Sequence, residues 1–545
     1  QVAASDGKVR KRYLYDLHGN IRKEISAKGM ETGSTDEERV GALYAYNYVG
    51  WLTEKRIPVR VDEGEPLYEL TRYEYDAAGN RTAEIRYLDY QKAEGADGAV
   101  HVIRYTYDRD DRPVLISDSD GAEIRYAYDG MGRKTMESRK AGEEHIQIFH
   151  YTYDRAGRLV KVSRPADREG CGREQSATEY GYDANGNATS ILLPSGAKVL
   201  REYDAVDRLV KEAHIDKAGG IRNTTSFAYD RAGNLTCITD SLGRRTQIEY
   251  DLMNREVRRT EKDGGVTRQF YDRNGRLSRA VRPEEYKKYG DAGAGEQYTY
   301  DEEGRVLTVV RPDGTVRESN AYDADGLLIR TRDAMGSEAL FAYDLGGRRL
   351  EIRTNGQASQ RYEYDARGNI VGVEDGEGNR TAYTADAWGR VTDILKADGS
   401  RETYSYDYAG NLTAQTDGEG NTTLYEYNSA GELSCITDSM GGKETYAYDE
   451  EGRLCRKRDR NGTETRYTYN MYGNLLSRTA GELSDRYEYT PEGLLKSAIS
   501  QGMRYSYAYD EMGRLKEKCA SGRRLLSLSY DLNGNLTKQE DVTGK

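Results

Sequence analysis

At 545 residues the chain could hold three or four ordinary domains, yet it is 36% hydrophobic and 32% charged with a mean hydropathy of −0.90, a balance that ordinarily forbids a packed core. A net charge of −12 weighs against nucleic acid or anionic lipid as the main partner, because both need a basic face. No run of apolar residues is long enough to span a membrane. Tyrosine resolves the shortage of apolar surface: 47 Tyr stand against 4 Phe and 2 Trp, so packing must come from phenol rings that keep a polar tip.

Read in chain order, the sequence is one sentence repeated. Anchored on a Tyr, most often of a Tyr-Asp pair, it recurs at Tyr15, Tyr46, Tyr75, Tyr107, Tyr128, Tyr153, Tyr182, Tyr203, Tyr229, Tyr250, Tyr271 and Tyr300. It continues at Tyr322, Tyr343, Tyr364, Ala385, Tyr406, Tyr427, Tyr448, Tyr469, Tyr489, Tyr509 and Tyr530, giving 23 copies, with 12 of the 22 intervals equal to 21 residues. Residues 1–300 carry the longer intervals, with inserted loops such as Ala166–Thr178 and Glu284–Gln297, whereas 301–545 repeat every 20 to 22 residues. The whole of 1–545 reads as a continuous array, a fragment truncated at both ends.

Within each copy an aromatic two residues before the anchor marks a strand with both rings on one face, as in Tyr362 and Tyr364, Tyr404 and Tyr406, Tyr425 and Tyr427, or Tyr446 and Tyr448. The next residue is a turn former (Asp365, Asp407, Asp449), and four past the anchor stands a glycine (Gly368, Gly410, Gly452) that suits positive φ. Three copies place Asp111, Asp207 and Asn254 there, which enter the left-handed region more readily than other side chains. Asn or Arg and an aliphatic residue then open a second strand, which ends at a second Asp/Gly turn or at Pro165, Pro283 or Pro312. Each repeat is therefore a β-hairpin, and stacking hairpins builds a continuous Tyr ladder. About 46 strands at roughly 4.8 Å each would make a sheet about 220 Å wide, too wide to stay flat, so an all-β array wound as a spiral, hollow shell is expected. A propeller of four-stranded blades would need more than eleven blades and is disfavoured.

The motif Y-x-Y-D-x-x-G-[NR]-L, as at Tyr362–Ile370 and Tyr404–Leu412, resembles the YD repeat of Rhs proteins, and the likeness covers the whole chain. That resemblance implies a spiral β shell of the kind found in bacterial polymorphic toxins, in the B and C components of toxin complexes and in teneurins. It further implies a secreted or bacterial cell-surface protein whose shell encloses a C-terminal toxin passenger lying outside this chain, with a secretion or delivery component as a further partner. The Asp-Pro of the family's autoprotease core is missing here. A cell-surface adhesion or carbohydrate-binding array, with a glycan as partner, is the alternative.

No catalytic, cofactor or metal site is expected. The Asp after the anchor is replaced by Asn47, Asn428, Asn470 and Thr490 at the same phase, which fits a turn former rather than a catalytic carboxylate. Asp375–Asn379 and Asp417–Asn421 lack the ligand pattern of a calcium loop. Cys171, Cys237, Cys435, Cys455 and Cys519 read as free packing thiols, and His18, His101, His145, His150 and His214 show no metal-ligand spacing. Arg133, Arg158, Arg305, Arg390, Arg453 and Arg514 recur in register after the turn glycine. They could meet acidic groups of a cargo or glycan, although a solvated or carboxylate-paired row is the commoner arrangement.

Overall fold

The computed structural model describes residues 2–3, 9–141, 144–165 and 175–543. Cys171 and most of the Ala166–Thr178 loop lie outside the described residues, as does the side chain of His145. The fold is all-β: among the described residues 47 strands join one antiparallel sheet, mostly five to eight residues each and paired with their sequence neighbours. Its helical pieces are short, the longest being Pro283–Tyr289, which occupies the loop that follows Arg282.

One repeat shows why this sequence makes a hairpin. In strand Arg401–Tyr406 the rings of Tyr404 and Tyr406 are half-buried on one face while Ser405 between them is exposed. The same holds for Tyr362 and Tyr364 around Glu363 and for Tyr425 and Tyr427 around Glu426; Tyr446 and Tyr448 flank a buried Ala447. Strand Arg401–Tyr406 pairs Tyr404 with Gln415 and Ser405 with Ala414, and the register then slips by one residue so that Tyr406 meets Leu412. The slip is a bulge of the three-residue hairpin loop, whose last position needs positive φ. Gly410 fills it at φ 93°, while Asp111, Asp207 and Asn254 hold the equivalent position at φ 60 to 63°. Both turns of a repeat use this geometry: the Gly410 N–H donates to the Asp407 carbonyl at 3.1 Å, and the Gly420 N–H to the Asp417 carbonyl at 3.0 Å. Some second turns shorten to two residues, as at Asn355-Gly356, where both φ values are positive.

The chain forms two compact units, one of 1–146 and 298–424, the other of 147–297 and 425–545. The ribbon thus passes through each unit twice. In the first, the second passage lies beside the earlier one: the N–H groups of Ala27 and Lys28 donate to the Asp325 carboxylate at 2.6 and 3.0 Å, the Leu345 N–H donates to the Val59 carbonyl at 3.0 Å, and the Tyr90 hydroxyl lies 2.7 Å from the Tyr364 carbonyl. In the second unit, the Ser195 N–H donates to Glu451, the Ser241 hydroxyl to Glu492, and the Glu284 N–H to Asn533. Each of these contacts joins one repeat to the anchor turn of the repeat twelve further on, in most cases from its second turn, as Ala27 after Tyr15 meets Asp325 after Tyr322, and for Val59 from within strand Leu52–Asp62. Few side chains are fully enclosed, chiefly Ile25, Leu70, His101 and Val281, as befits a sheet whose aromatic face is half-covered.

Candidate functional site

The recurring constellation is a clasp built at most anchors. Asp407 accepts the Asn411 backbone N–H at 2.8 Å and the Asn411 side-chain amide at 2.9 Å. Asp365 does the same with Asn369, and burial, which works against ionisation, is outweighed by the Asn369 and Arg367 donors, so its carboxyl lies below the usual range. In the copy with Thr490 the hydroxyl receives the Leu494 N–H at 3.2 Å, the same task in a neutral form. The Asn of each Asn-Leu-Thr at Asn234, Asn411 and Asn535 donates its amide to the turn Asp. Asp375 likewise accepts the N–H groups of Glu377 and Asn379 and the Asn379 amide.

The anchor hydroxyl explains why the rings are Tyr rather than Phe. Tyr406 donates to the Val391 carbonyl at 2.9 Å, Tyr364 to Arg349 at 2.7 Å, Tyr448 to Leu433 at 2.8 Å and Tyr469 to Leu454 at 2.8 Å. Each bond reaches the start of the preceding repeat's second strand, so each ring stitches two hairpins together. The aromatic two residues earlier acts locally: Tyr404 donates to Glu402 at 2.7 Å, Tyr362 to Gln360 at 2.5 Å, and Tyr446 to Glu444. Burial, then the bond to Glu444, pushes the Tyr446 hydroxyl well above the usual phenol range.

The in-register arginines close the clasp, and they take the carboxylate-paired arrangement. Arg390 gives Nε to Asp386 at 2.6 Å, gives Nη1 to the Asp407 carbonyl at 3.0 Å, and lays its guanidinium 4.8 Å from the centre of the Tyr406 ring. Arg158, Arg453 and Arg514 repeat all three contacts; Arg305 makes the pair and the ring contact, and Arg133 pairs with Asp129. One planar cation thereby links an acid, a turn carbonyl and a ring of the next repeat, a combination that lysine cannot reproduce.

The thiols depart from expectation at one position. Cys237, Cys435 and Cys519 are free, but Cys455 is disulfide-bonded. A second group lies within one hairpin, at a spacing that matches no common ligand motif. His101, wholly buried in strand Val100–Tyr107, places Nε2 3.4 Å from Asp118 Oδ2 and 3.8 Å from Asp120 Oδ2, both on the neighbouring second turn. His214 lies 3.0 Å from Glu212 and against Tyr472. A half-open cleft of about 790 Å³ in the second unit is lined by Tyr467, Tyr469, Tyr472 and Tyr487 together with Arg222 and Asp449.

Comparison with known proteins sets this geometry in context. The Teneurin YD-shell family matches residues 127–282, 337–470 and 463–539, and the RHS Repeat family matches 107–144. Among curated proteins, the "Probable deoxyribonuclease RhsA" of Dickeya dadantii is 28% identical over 223 residues, covering 40% of this chain and 15% of that protein. The "Probable deoxyribonuclease RhsB" of the same organism is 27% identical over 218 residues, 39% of this chain and 14% of its own length. The chain therefore spans about a seventh of these relatives. Among solved structures, TcdB2-TccC3 without its hypervariable C-terminal region aligns over 98% of this chain and 39% of that one, at a TM-score of 0.68 and 14% identity. TcdB2-TccC3 itself aligns over 98% and 34%, at a TM-score of 0.65 and 14% identity. At such identity the likeness is one of fold.

Proposed function

The chain belongs to the Teneurin YD-shell family, and from that premise we propose that it is a non-catalytic wall segment of an Rhs-type secreted toxin, enclosing and protecting a C-terminal toxin that lies outside this chain. The observation that carries the reading is the clasp. The recurrent acids, phenols and guanidiniums are engaged with one another across hairpins, an arrangement suited to a cohesive wall rather than to turnover. In each unit the two passages of ribbon are also joined turn to turn, as a wall without gaps requires. The array 1–545 would then act as one repeat region, exported or displayed on a bacterial surface, with the passenger and a delivery component as partners. The deoxyribonuclease named for the two Dickeya relatives fits a passenger carried elsewhere in such proteins.

The test is protection. In a parent protein carrying this wall and a C-terminal passenger, the passenger should resist added protease until the wall is opened, and the purified 545-residue chain should show no nuclease or other hydrolase turnover. A passenger cleaved at the rate of the free domain overturns encapsulation. Turnover that survives purification and disappears with a point mutation overturns the non-catalytic reading. A second reading, a carbohydrate-binding array, draws on the Tyr-lined cleft of the second unit, since phenol rings stack on sugar faces. Glycan-array binding abolished by Tyr472→Ala would favour it.

A further inference from the structure

We propose that His101, Asp118 and Asp120 form a binding site for one divalent transition-metal ion of the zinc class, which ties strand Val100–Tyr107 to the turn that follows strand Pro113–Asp118. The three donor atoms lie within 4.8 Å of one another, and two of the three side chains, His101 and Asp118, are almost entirely enclosed. Ligand atoms about 2.0–2.2 Å from a tetrahedral ion sit roughly 3.3–3.6 Å apart. The separations from His101 Nε2, 3.4 and 3.8 Å, are close to that edge length. They are longer than the usual N–H···O hydrogen bond of about 2.7–3.2 Å.

Charge points the same way. Among the described residues, neither carboxylate meets a lysine or arginine, and the His101 imidazole is the group within 4 Å of both. Asp118, almost wholly enclosed, favours a cation beside it, and a divalent ion shared with His101 and the exposed Asp120 supplies it. The acid is also aimed. Asp118 Oδ1 accepts the N–H groups of Asp120 at 3.0 Å and Ala122 at 2.8 Å, which fixes the carboxylate and turns Oδ2 toward the imidazole. Among the described residues His101 Nδ1 is buried without a hydrogen-bond partner, so what Nε2 binds is what anchors the ring. One nitrogen and two carboxylate oxygens make a borderline donor set, suited to Zn²⁺, Co²⁺ or Mn²⁺ rather than to Ca²⁺, which takes six to eight oxygens. The partly exposed Asp120 leaves a route from solvent, through which water would complete the coordination.

Trp388 supplies the readout, because its indole stands edge-on to His101 with ring centres 5.3 Å apart, and the chain's other tryptophan, Trp51, packs on Tyr75. The experiment adds CoCl₂ to the intact chain and follows tryptophan emission, with bound metal counted by equilibrium dialysis. The proposal expects one Co²⁺ per chain, loss of the Trp388 share of the emission with that of Trp51 retained, and recovery on adding ZnCl₂. In Asp120→Ala, which alters a half-exposed side chain and should fold normally by circular dichroism, affinity should fall at least about tenfold. His101→Gln should abolish the quench. Equal binding by wild type and Asp120→Ala, or metal bound without a change in emission, overturns the site. If His101→Gln fails to fold, the Asp120→Ala comparison decides alone.

Discussion

Replacing Tyr406 with Phe removes one oxygen and leaves the ring, the Arg390 contact at 4.8 Å and the burial of the face in place. What is lost is the 2.9 Å bond to the Val391 carbonyl, the stitch between two hairpins. A neutral hydrogen bond of this kind contributes about 0.5–1.5 kcal/mol net. Tyr406→Ala additionally removes the ring, whose burial is worth roughly 1.5–3 kcal/mol when complete and less for a half-covered side chain, and it ends the cation–π contact, worth about 0.5–1 kcal/mol. Global unfolding is a poor gauge, because long repeat arrays do not unfold as one unit. The suitable assay is hydrogen exchange followed by mass spectrometry on peptides covering strands Val391–Leu395 and Arg401–Tyr406. Under equilibrium exchange, Tyr406→Phe should speed these amides by about 2- to 13-fold, the Boltzmann factor of that range, and Tyr406→Ala by much more. The exposed Glu419→Ala should change nothing there. If Phe leaves exchange at the wild-type rate while Ala raises it, the hydroxyl is incidental and the preference for Tyr needs another cause.

Gly410→Val should destabilise its hairpin by roughly 1–2 kcal/mol, since φ is 93° and an added Cβ would meet only Arg390 Nη1 at 3.9 Å, an ordinary contact, leaving backbone strain as the main cost. Asn254→Gly, at φ 60°, should be neutral or slightly favourable, and equal losses in the two variants by local exchange would contradict the turn assignment. Arg390→Ala should loosen the amides of the Tyr406 turn by on the order of 1–2 kcal/mol through loss of its charge-assisted and ring contacts, and Arg390→Lys should recover only part of that; full recovery would show that charge alone matters. Acid gives a fourth check. Burial opposes ionisation of Asp240, yet Lys262 and Arg244 hold its carboxyl down to about 2, from an ordinary value of 3.8. A depressed carboxyl stabilises the fold above its unfolded value and loses that contribution as pH falls, so the local stability of the Asp240 turn, read from hydrogen exchange after correction for the intrinsic pH dependence of exchange, should drop between pH 3.8 and about 2, and less so in Asp240→Asn. A flat profile across that window contradicts it.

Periodicity made the hairpins legible. The alternation at Tyr404 and Tyr406, the turn former at Asp407 and the small residue at Gly410 are local features, and local geometry is what a strand-turn-strand unit depends on. The contacts between repeats were harder to read. Nothing in the sequence around Tyr406 says that its hydroxyl would find Val391, fifteen residues earlier, or that Arg390 would lie on the next ring rather than face a cargo. Harder still were contacts between passages twelve repeats apart. Ala27 with Asp325 depends on where the ribbon returns, which is set by accumulated twist and inserted loops rather than by any motif. His101 illustrates the middle case: its acids sit on the adjacent strand's turn, seventeen and nineteen residues on, a spacing fixed by the hairpin and resembling no common ligand motif.

The most direct measurement is small-angle X-ray scattering of the 545-residue chain in dilute solution. A wall segment that curves to enclose space should give a maximum dimension far below the roughly 220 Å of an extended ribbon of 4.8 Å strands, with a pair-distance distribution skewed toward long vectors because mass lies at the perimeter. A rod-like profile reaching about 220 Å would mean an open solenoid and would contradict encapsulation.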